Sequence, residues 1–265
     1  MSNDNLINDQ LLRRYNEQGY FTVKGLFTAE EVEGVRNEIP KIVARYPDVP
    51  AELVQIEPTV ASGERKPESF ELGVRKLSRM ARHNEFFRNL AFHPKMVMIA
   101  KAILGPDIVL HQGQLLMKPP HYGGEKVWHQ DNAYFRLVPN LVFGFWVACD
   151  DATVENGCMH VIPGSHQRGI ADHAGVGDEY GLVTPQSLED AVPIPLKPGD
   201  ALVFHGELYH YTPPNRTDNR RRAVQYHYAS GECRQTTGQE RFKIEPEVRI
   251  AGGEYAGTLT RQLPS

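Results

Sequence analysis

Cysteine is scarce in this 265-residue chain: Cys149, Cys158 and Cys233 are the only three. An odd, widely spaced set of this kind excludes a disulfide framework and a zinc knuckle, and fits reduced thiols. No run of about 18 apolar residues occurs, which excludes a conventional membrane helix. The N-terminal Met-Ser-Asn-Asp-Asn lacks the basic stretch and apolar segment of a secretory signal, so a cytoplasmic protein is expected. Lysine and arginine are scattered except for Arg220, Arg221 and Arg222, and the net charge is −4. Without a basic footprint, nucleic acid is not an expected partner. No internal repeat or low-complexity tract is visible. What remains is ordinary globular composition, 40% apolar and 23% charged, in a chain close to the ~200–250 residues that an all-β barrel or sandwich uses as one domain.

The texture changes along the chain. Residues 1–105 read as mostly helical. Leu11, Leu12 and Tyr15 followed by Gly19 predict a short amphipathic helix, and Tyr20-Phe-Thr-Val a strand. Thr28 with Glu31 is a capping-box pattern opening a helix through Val32, Val35, Ile39 and Ile42. Asn84 to Leu104 holds two further helical stretches separated at His93-Pro94, whereas residues 45–75, rich in Pro, Glu and Ser, read as a surface excursion that acts as a lid. From 106 to 235 short β-rich runs dominate: Val109 to Met117, Leu141 to Cys149, Met159-His-Val-Ile, Ala201-Leu-Val-Phe and Ala223 to Tyr228. Asn156-Gly157 and Pro198-Gly199-Asp200 supply the turns before two of them. Strands following helices predict a mainly β fold with flanking α, a jelly roll with the N-terminal helices packed on one sheet. Residues 236–265 read as a C-terminal extension of this single domain.

His129-Gln130-Asp131 places an imidazole and a carboxylate two positions apart, on one face of an extended segment. Two histidines and one carboxylate on one face of an octahedron leave three positions open, an arrangement suited to iron(II). The C-terminal β region offers His205, His210 and His227 as the second histidine. His210 is favoured, because Arg221 follows eleven residues later at the start of a strand expected beside that of His210, where its guanidinium receives a carboxylate. His205 and His227 read as packed histidines held by hydrogen bonds. His166 reads as an exposed loop residue, with a reach to the site entrance as the alternative. Tyr134, Phe135 and Phe145 are either cavity wall or plain core; Lys118 is either an anion contact or a solvated lysine; Cys149 and Cys158 pack as small hydrophobes.

Gln18-Gly-Tyr-Phe-Thr-Val-Lys-Gly, Lys118-Pro-Pro, Trp128-His-Gln-Asp, Glu155-Asn-Gly-Cys, Ile162-Pro-Gly-Ser-His, His210 and Arg221-Arg-Ala follow one another in an order and spacing that resembles the phytanoyl-CoA dioxygenase-like branch of the iron(II)- and 2-oxoglutarate-dependent oxygenases. The resemblance implies a double-stranded β-helix with His129, Asp131 and His210 as metal ligands. It implies that Arg221, assisted by Thr212, pairs with the distal carboxylate of 2-oxoglutarate, and that Gln114 and Trp146 line the cosubstrate pocket. The implied cofactors are Fe(2+), 2-oxoglutarate and O2, and the implied reaction oxidises a C–H bond of a small-molecule substrate with release of succinate and CO2. A cupin-like metal-dependent isomerase or a non-catalytic jelly-roll binding protein is the competing reading, and succinate release separates the two.

Overall fold

The computed structural model describes residues 7–50, 53–176, 179–184 and 186–252. The N-terminal part runs α1 (Asp9–Gln18), β1 (Tyr20–Val23), α2 (Ala29–Val43), β2 (Val54–Ile56), α3 (Pro58–Ala61), β3 (Val74–Ser78), α4 (Met80–His83), α5 (Glu85–Leu90) and α6 (Pro94–Leu104). Then come β4 (Ile108–Lys118), β5 (Lys126–His129), α7 (Asp131–Phe135), β6 (Leu137–Val138), β7 (Val142–Ala148), β8 (Met159–Val161), β9 (His173–Val176), β10 (Glu179–Leu182) and β11 (Val192–Ile194). The chain continues through β12 (Ala201–His205), β13 (His210–Thr212), β14 (Arg221–Ser230), β15 (Arg234–Thr237), β16 (Glu240–Lys243) and β17 (Val248–Ala251).

Local chemistry explains the helix boundaries. Gly19 ends α1 in the left-handed region at φ 83°, where a side chain would be strained. The capping box at α2 forms as expected: the Thr28 hydroxyl accepts from the Glu31 N–H at 3.2 Å, and the Glu31 carboxylate from the Thr28 N–H at 2.7 Å. Pro94 opens α6 at a position whose N–H would lack a helical partner.

The strands form a jelly roll. The larger sheet has the order β1-β12-β7-β14-β4-β3-β2, with β17 also paired to β4; the smaller, β11-β8-β13-β5, faces it. One face of the larger sheet, carrying Phe143, Phe145, Val147, Val203, Val224, Tyr226 and Tyr228, is buried against apolar residues of α2, α5 and α6. The Tyr226 and Tyr228 hydroxyls donate at 2.7 Å to the carbonyls of Phe87 and Ala91, so both polar tips are satisfied inside this layer. Phe145 is therefore core and not cavity wall. The opposite face of the sheet is left free to line a cavity.

The described residues of 45–75 are not surface excursion throughout. They contain β2, which pairs with β3 at one edge of the larger sheet and carries Gln55 to the cavity wall. A three-residue strand among Pro, Glu and Ser has too little periodicity to stand out. At the other end of the chain, β15 pairs with both β16 and β6, and β17 returns to the larger sheet; residues 253–265 of the expected extension lie outside the described residues.

Candidate metal centre

β13 lies antiparallel to β5 with His210 directly opposite His129, and their ring centroids are 4.0 Å apart. Asp131 does not continue the strand, as simple alternation would have it; it is the first residue of α7. Gln130 between them is still extended (φ −123°, ψ 130°), so residues 129 and 131 point the same way before the chain turns. Gln130 is buried on the opposite side, donating to the carbonyls of Gly169 (2.9 Å) and Glu207 (2.7 Å) and accepting from the Ala171 N–H (2.8 Å). These three bonds fix the short segment that carries both candidate ligands.

The rings are oriented from behind. His129 Nδ1 is 2.7 Å from the Val127 carbonyl and His210 Nδ1 is 2.8 Å from that of Leu208. Carbonyls only accept, so both Nδ1 atoms carry the proton and both Nε2 lone pairs face inward. Each Nε2 is 3.6 Å from Asp131 Oδ1. The ligand atoms of His129, Asp131 and His210 all lie within 4.8 Å of one another, and this is the one such group among the described residues. Burial and the neighbouring His210 push the His129 imidazole down to about 3, keeping it neutral. Burial opposes the charge on Asp131, but His227 and His210 outweigh it and hold the carboxyl well below its usual range. Two imidazole nitrogens and an ionised carboxylate on one side of an open cavity suit a divalent ion of the iron(II) type.

That cavity is lined by Gln114, Trp146, Thr212 and Arg221 beside the triad. The expected neighbour relation of Arg221 is corrected. β14 pairs with β4 and β7 in the larger sheet, while His210 sits on β13 in the smaller one. Arg221 and His210 thus approach from facing sheets, which the spacing of eleven residues does not reveal. Arg221 is 2% exposed, its Nε and Nη1 have no hydrogen-bond partner, and its guanidinium stands 5.1 Å from the Trp146 ring centroid. Burial lowers its pKa to about 10, which leaves it charged at neutral pH. Its neighbours in sequence are engaged elsewhere: Arg222 forms a two-pronged pair with Asp150 (2.8 Å each), and Arg220 pairs with Glu71 at 2.8 Å.

The other histidines stay out of the triad. His205 Nδ1 accepts from the Glu207 N–H at 3.0 Å, and its ring leans on Tyr15 and His166. His166 packs at the end of α1, 3.1 Å from the Asn16 carbonyl, and not at the cavity entrance. Tyr134 and Phe135 do line the cavity, as does Lys118, which is buried and bonded to the Gly124 carbonyl, not solvated. Residue patterns alone did not single out Lys76, Arg75, Lys126 and Glu179, which complete the wall. Glu179 pairs with both Arg75 and Lys126, an arrangement spanning about a hundred residues of sequence that no local motif marks.

Residues 15–223 match the family model described as phytanoyl-CoA dioxygenase (PhyH). The chain belongs to the phytanoyl-CoA dioxygenase family. This makes it an oxidoreductase of the non-haem iron(II)- and 2-oxoglutarate-dependent dioxygenase class. Among relatives, phytanoyl-CoA dioxygenase domain-containing protein 1 of Mus musculus is 28% identical, covering 82% of this chain and 88% of the relative. The peroxisomal phytanoyl-CoA dioxygenase of Homo sapiens is 27% identical, covering 92% and 75%. Among solved structures, EctD from S. alaskensis with 2-oxoglutarate and 5-hydroxyectoine superposes with a TM-score of 0.72 at 21% identity, covering 100% of this chain and 91% of that one. The non-haem monooxygenase ThoJ gives 0.73 at 22%, covering 96% and 88%. These two share the fold with this member of the phytanoyl-CoA dioxygenase family. Among the described residues no helix is long and apolar enough to cross a membrane.

Proposed function

We propose that this chain oxidises a small-molecule substrate at a C–H bond, consuming O2 and 2-oxoglutarate and releasing succinate and CO2, with His129, Asp131 and His210 holding Fe(2+). The observation that carries the reading is Arg221. A guanidinium that is buried yet leaves two nitrogen donors without partners is costly unless an anion completes it. It stands in the same cavity as the triad, which Thr212 also lines, and the indole N–H of Trp146 there is likewise unpartnered. A dicarboxylate would suit this cavity, with one end at the triad and the other on the fork of Arg221.

When bound, the iron supplies O2 activation coupled to oxidative decarboxylation of 2-oxoglutarate. The chain's own residues do the rest. The backbone carbonyls of Val127 and Leu208 keep the two imidazoles in the ligating tautomer. Arg221 and Thr212 fix the distal carboxylate, and with it the direction from which the keto acid approaches. Tyr134, Phe135, Gln114 and Trp146 wall the reacting space against bulk water. Asp131 supplies a carboxylate ligand, so the site favours hydroxylation over halide transfer, which needs that position vacant. Residues 1–265 are read as one oxygenase domain, supported by strands from both ends of the chain joining the larger sheet. The three buried free thiols fit a reducing compartment, and we assign the cytoplasm.

The test is anaerobic reconstitution with iron(II) and 2-oxoglutarate. The metal-to-keto-acid charge-transfer absorption is expected, and then succinate formation in a screen of small molecules. Correctly metallated protein that shows neither the band nor succinate overturns the reading.

A further inference from the structure

His227 is wholly buried, and nothing in its sequence position separates it from an ordinary core histidine. Its surroundings do. It projects from β14 on the cavity-facing side, opposite Gln112 of β4 and Gly144 of β7. Its ring is wedged edge-on between Phe135 (centroids 4.8 Å) and Phe204 (6.2 Å). Gly144 leaves room for this: a Cβ there would lie 2.5 Å from the Phe204 ring and 3.3 Å from His227 Cδ2. Held in this slot, Nε2 meets Asp131 Oδ2 at 2.7 Å, while Nδ1 has no partner. A carboxylate oxygen accepts, so the bond to Asp131 takes the tautomer with the proton on Nε2, a nitrogen that also lies 2.9 Å from the Gln225 amide nitrogen. Gln225, two residues earlier on the same face, brings its amide nitrogen to the same oxygen at 3.3 Å.

Asp131 therefore has two unlike oxygens. Oδ1 is equidistant from the Nε2 atoms of His129 and His210, and Oδ2 is tied back to β14. We propose that His227 is a positioning residue that grips Oδ2 of Asp131 and so presents Oδ1, in a fixed orientation, to the metal. The inference rests on the metal reading of the triad. It completes a pattern: each histidine ligand is oriented by a backbone carbonyl, and the carboxylate ligand by a histidine.

The packing and hydrogen-bonding roles of His227 separate by substitution. His227→Leu keeps an apolar body against Phe135 and Phe204 but removes the donor. His227→Gln places an amide N–H near the position of Nε2, whereas His227→Asn reaches only as far as Nδ1. The measurement is iron(II) affinity by anaerobic competition with a chromogenic chelator, with thermal unfolding of the metal-free proteins as a check on folding and Asp131→Ala as the control. Loss of an outer partner of a metal ligand costs roughly 10–100-fold in affinity. His227→Leu and His227→Asn are expected to show a loss of this size, and His227→Gln to recover to within a few-fold of wild type. Wild-type affinity in His227→Leu, or a loss in His227→Gln equal to that in His227→Asn, overturns the proposal. If His227→Leu does not fold, the contrast between Gln and Asn decides. Should Asp131→Ala itself bind iron like wild type, the metal reading falls and the inference with it; if Asp131→Ala loses iron and His227→Leu does not, only the inference falls.

Discussion

Replacing Arg221 separates stability from cosubstrate affinity, because the two depend on its charge with opposite sign. Without an anion in the cavity, the guanidinium is a buried cation with two unsatisfied donor nitrogens, directly opposite Lys118 on β4. Lys118 is itself pushed well below its ordinary pKa by burial and by Arg221. A cation in such a place costs the folded state several kcal/mol by desolvation. Arg221→Met, similar in length and apolar, is therefore expected to leave the thermal midpoint of the cosubstrate-free protein unchanged or raised. Affinity for 2-oxoglutarate moves the other way. Removing a hydrogen-bonded charge from a buried carboxylate costs about 2–5 kcal/mol, which is roughly thirtyfold to several-thousandfold in Kd. Arg221→Lys keeps the charge but loses the two-pronged geometry and falls between.

The assay is titration of the iron(II)-loaded protein with 2-oxoglutarate under anaerobic conditions, followed by the charge-transfer band and by the ligand-dependent rise in thermal midpoint. Arg220→Ala and Arg222→Ala are the controls, since Glu71 and Asp150 hold those side chains away from the cavity. An effect at either flanking residue equal to that at Arg221, or a change in Kd of less than a few-fold in Arg221→Ala, would refute the reasoning.

Asp131→Ala is expected to abolish hydroxylation, and the native protein to yield no chlorinated product when turned over in chloride and examined by mass spectrometry. His205→Ala is expected to keep iron stoichiometry near wild type where His210→Ala loses it, as metal analysis of the purified proteins would show; the reverse result exchanges the two residues. Gly157→Ala places a Cβ 2.5 Å from the Pro213 carbonyl oxygen at φ 94°, and a loss of roughly 1–3 kcal/mol is expected in urea unfolding. Acid lability is expected in part from His205, which burial pushes down to about 4 from 6.5. A depressed histidine contributes stability above pH 6.5 that is lost as the pH falls towards 4, about 1.4 kcal/mol by pH 5.5. His205→Asn, which preserves the acceptor for the Glu207 N–H, should flatten that limb when urea midpoints at pH 7.5 and 5.5 are compared.

Local chemistry made much of this molecule legible. Capping at Thr28, the stop at Gly19 and the break at His93-Pro94 are set by residues within one turn, so they appear in the sequence as they do in the fold. His129 and Asp131 were legible for the same reason: two positions of extended chain suffice to point them together. The family resemblance also marks Arg221 but not its place in the fold, because the spacing from His210 says nothing about which sheet a strand enters. The grip of His227 on Asp131 spans 96 residues, and the cluster of Arg75, Lys126 and Glu179 spans 104. Such pairs are created by sheet topology, and a single chain read in order carries no signal of them.

One strand face joins the two halves of the proposed chemistry. Along β14, Arg221, Ala223, Gln225 and His227 share the cavity side, while Arg222 turns out to Asp150 and Val224, Tyr226 and Tyr228 are buried under the helices. Ala223 is the one small side chain in that row, between the guanidinium and the amide. Gln225 and His227 converge on the far oxygen of Asp131, and the Gln225 side-chain oxygen Oε1 accepts from the Gln114 amide at 3.4 Å. The carboxylate anchor and the grip on the metal's carboxylate ligand are thus set by a single strand register. A slip of one residue would turn all four side chains into the helix layer and bring the tyrosines into the cavity. The helix layer resists that slip through the hydroxyl bonds of Tyr226 and Tyr228 to Phe87 and Ala91, which tie the alternate residues of the same strand to α5 and its C-terminal end. The N-terminal helices, remote from the chemistry, therefore act on it by holding β14 in place.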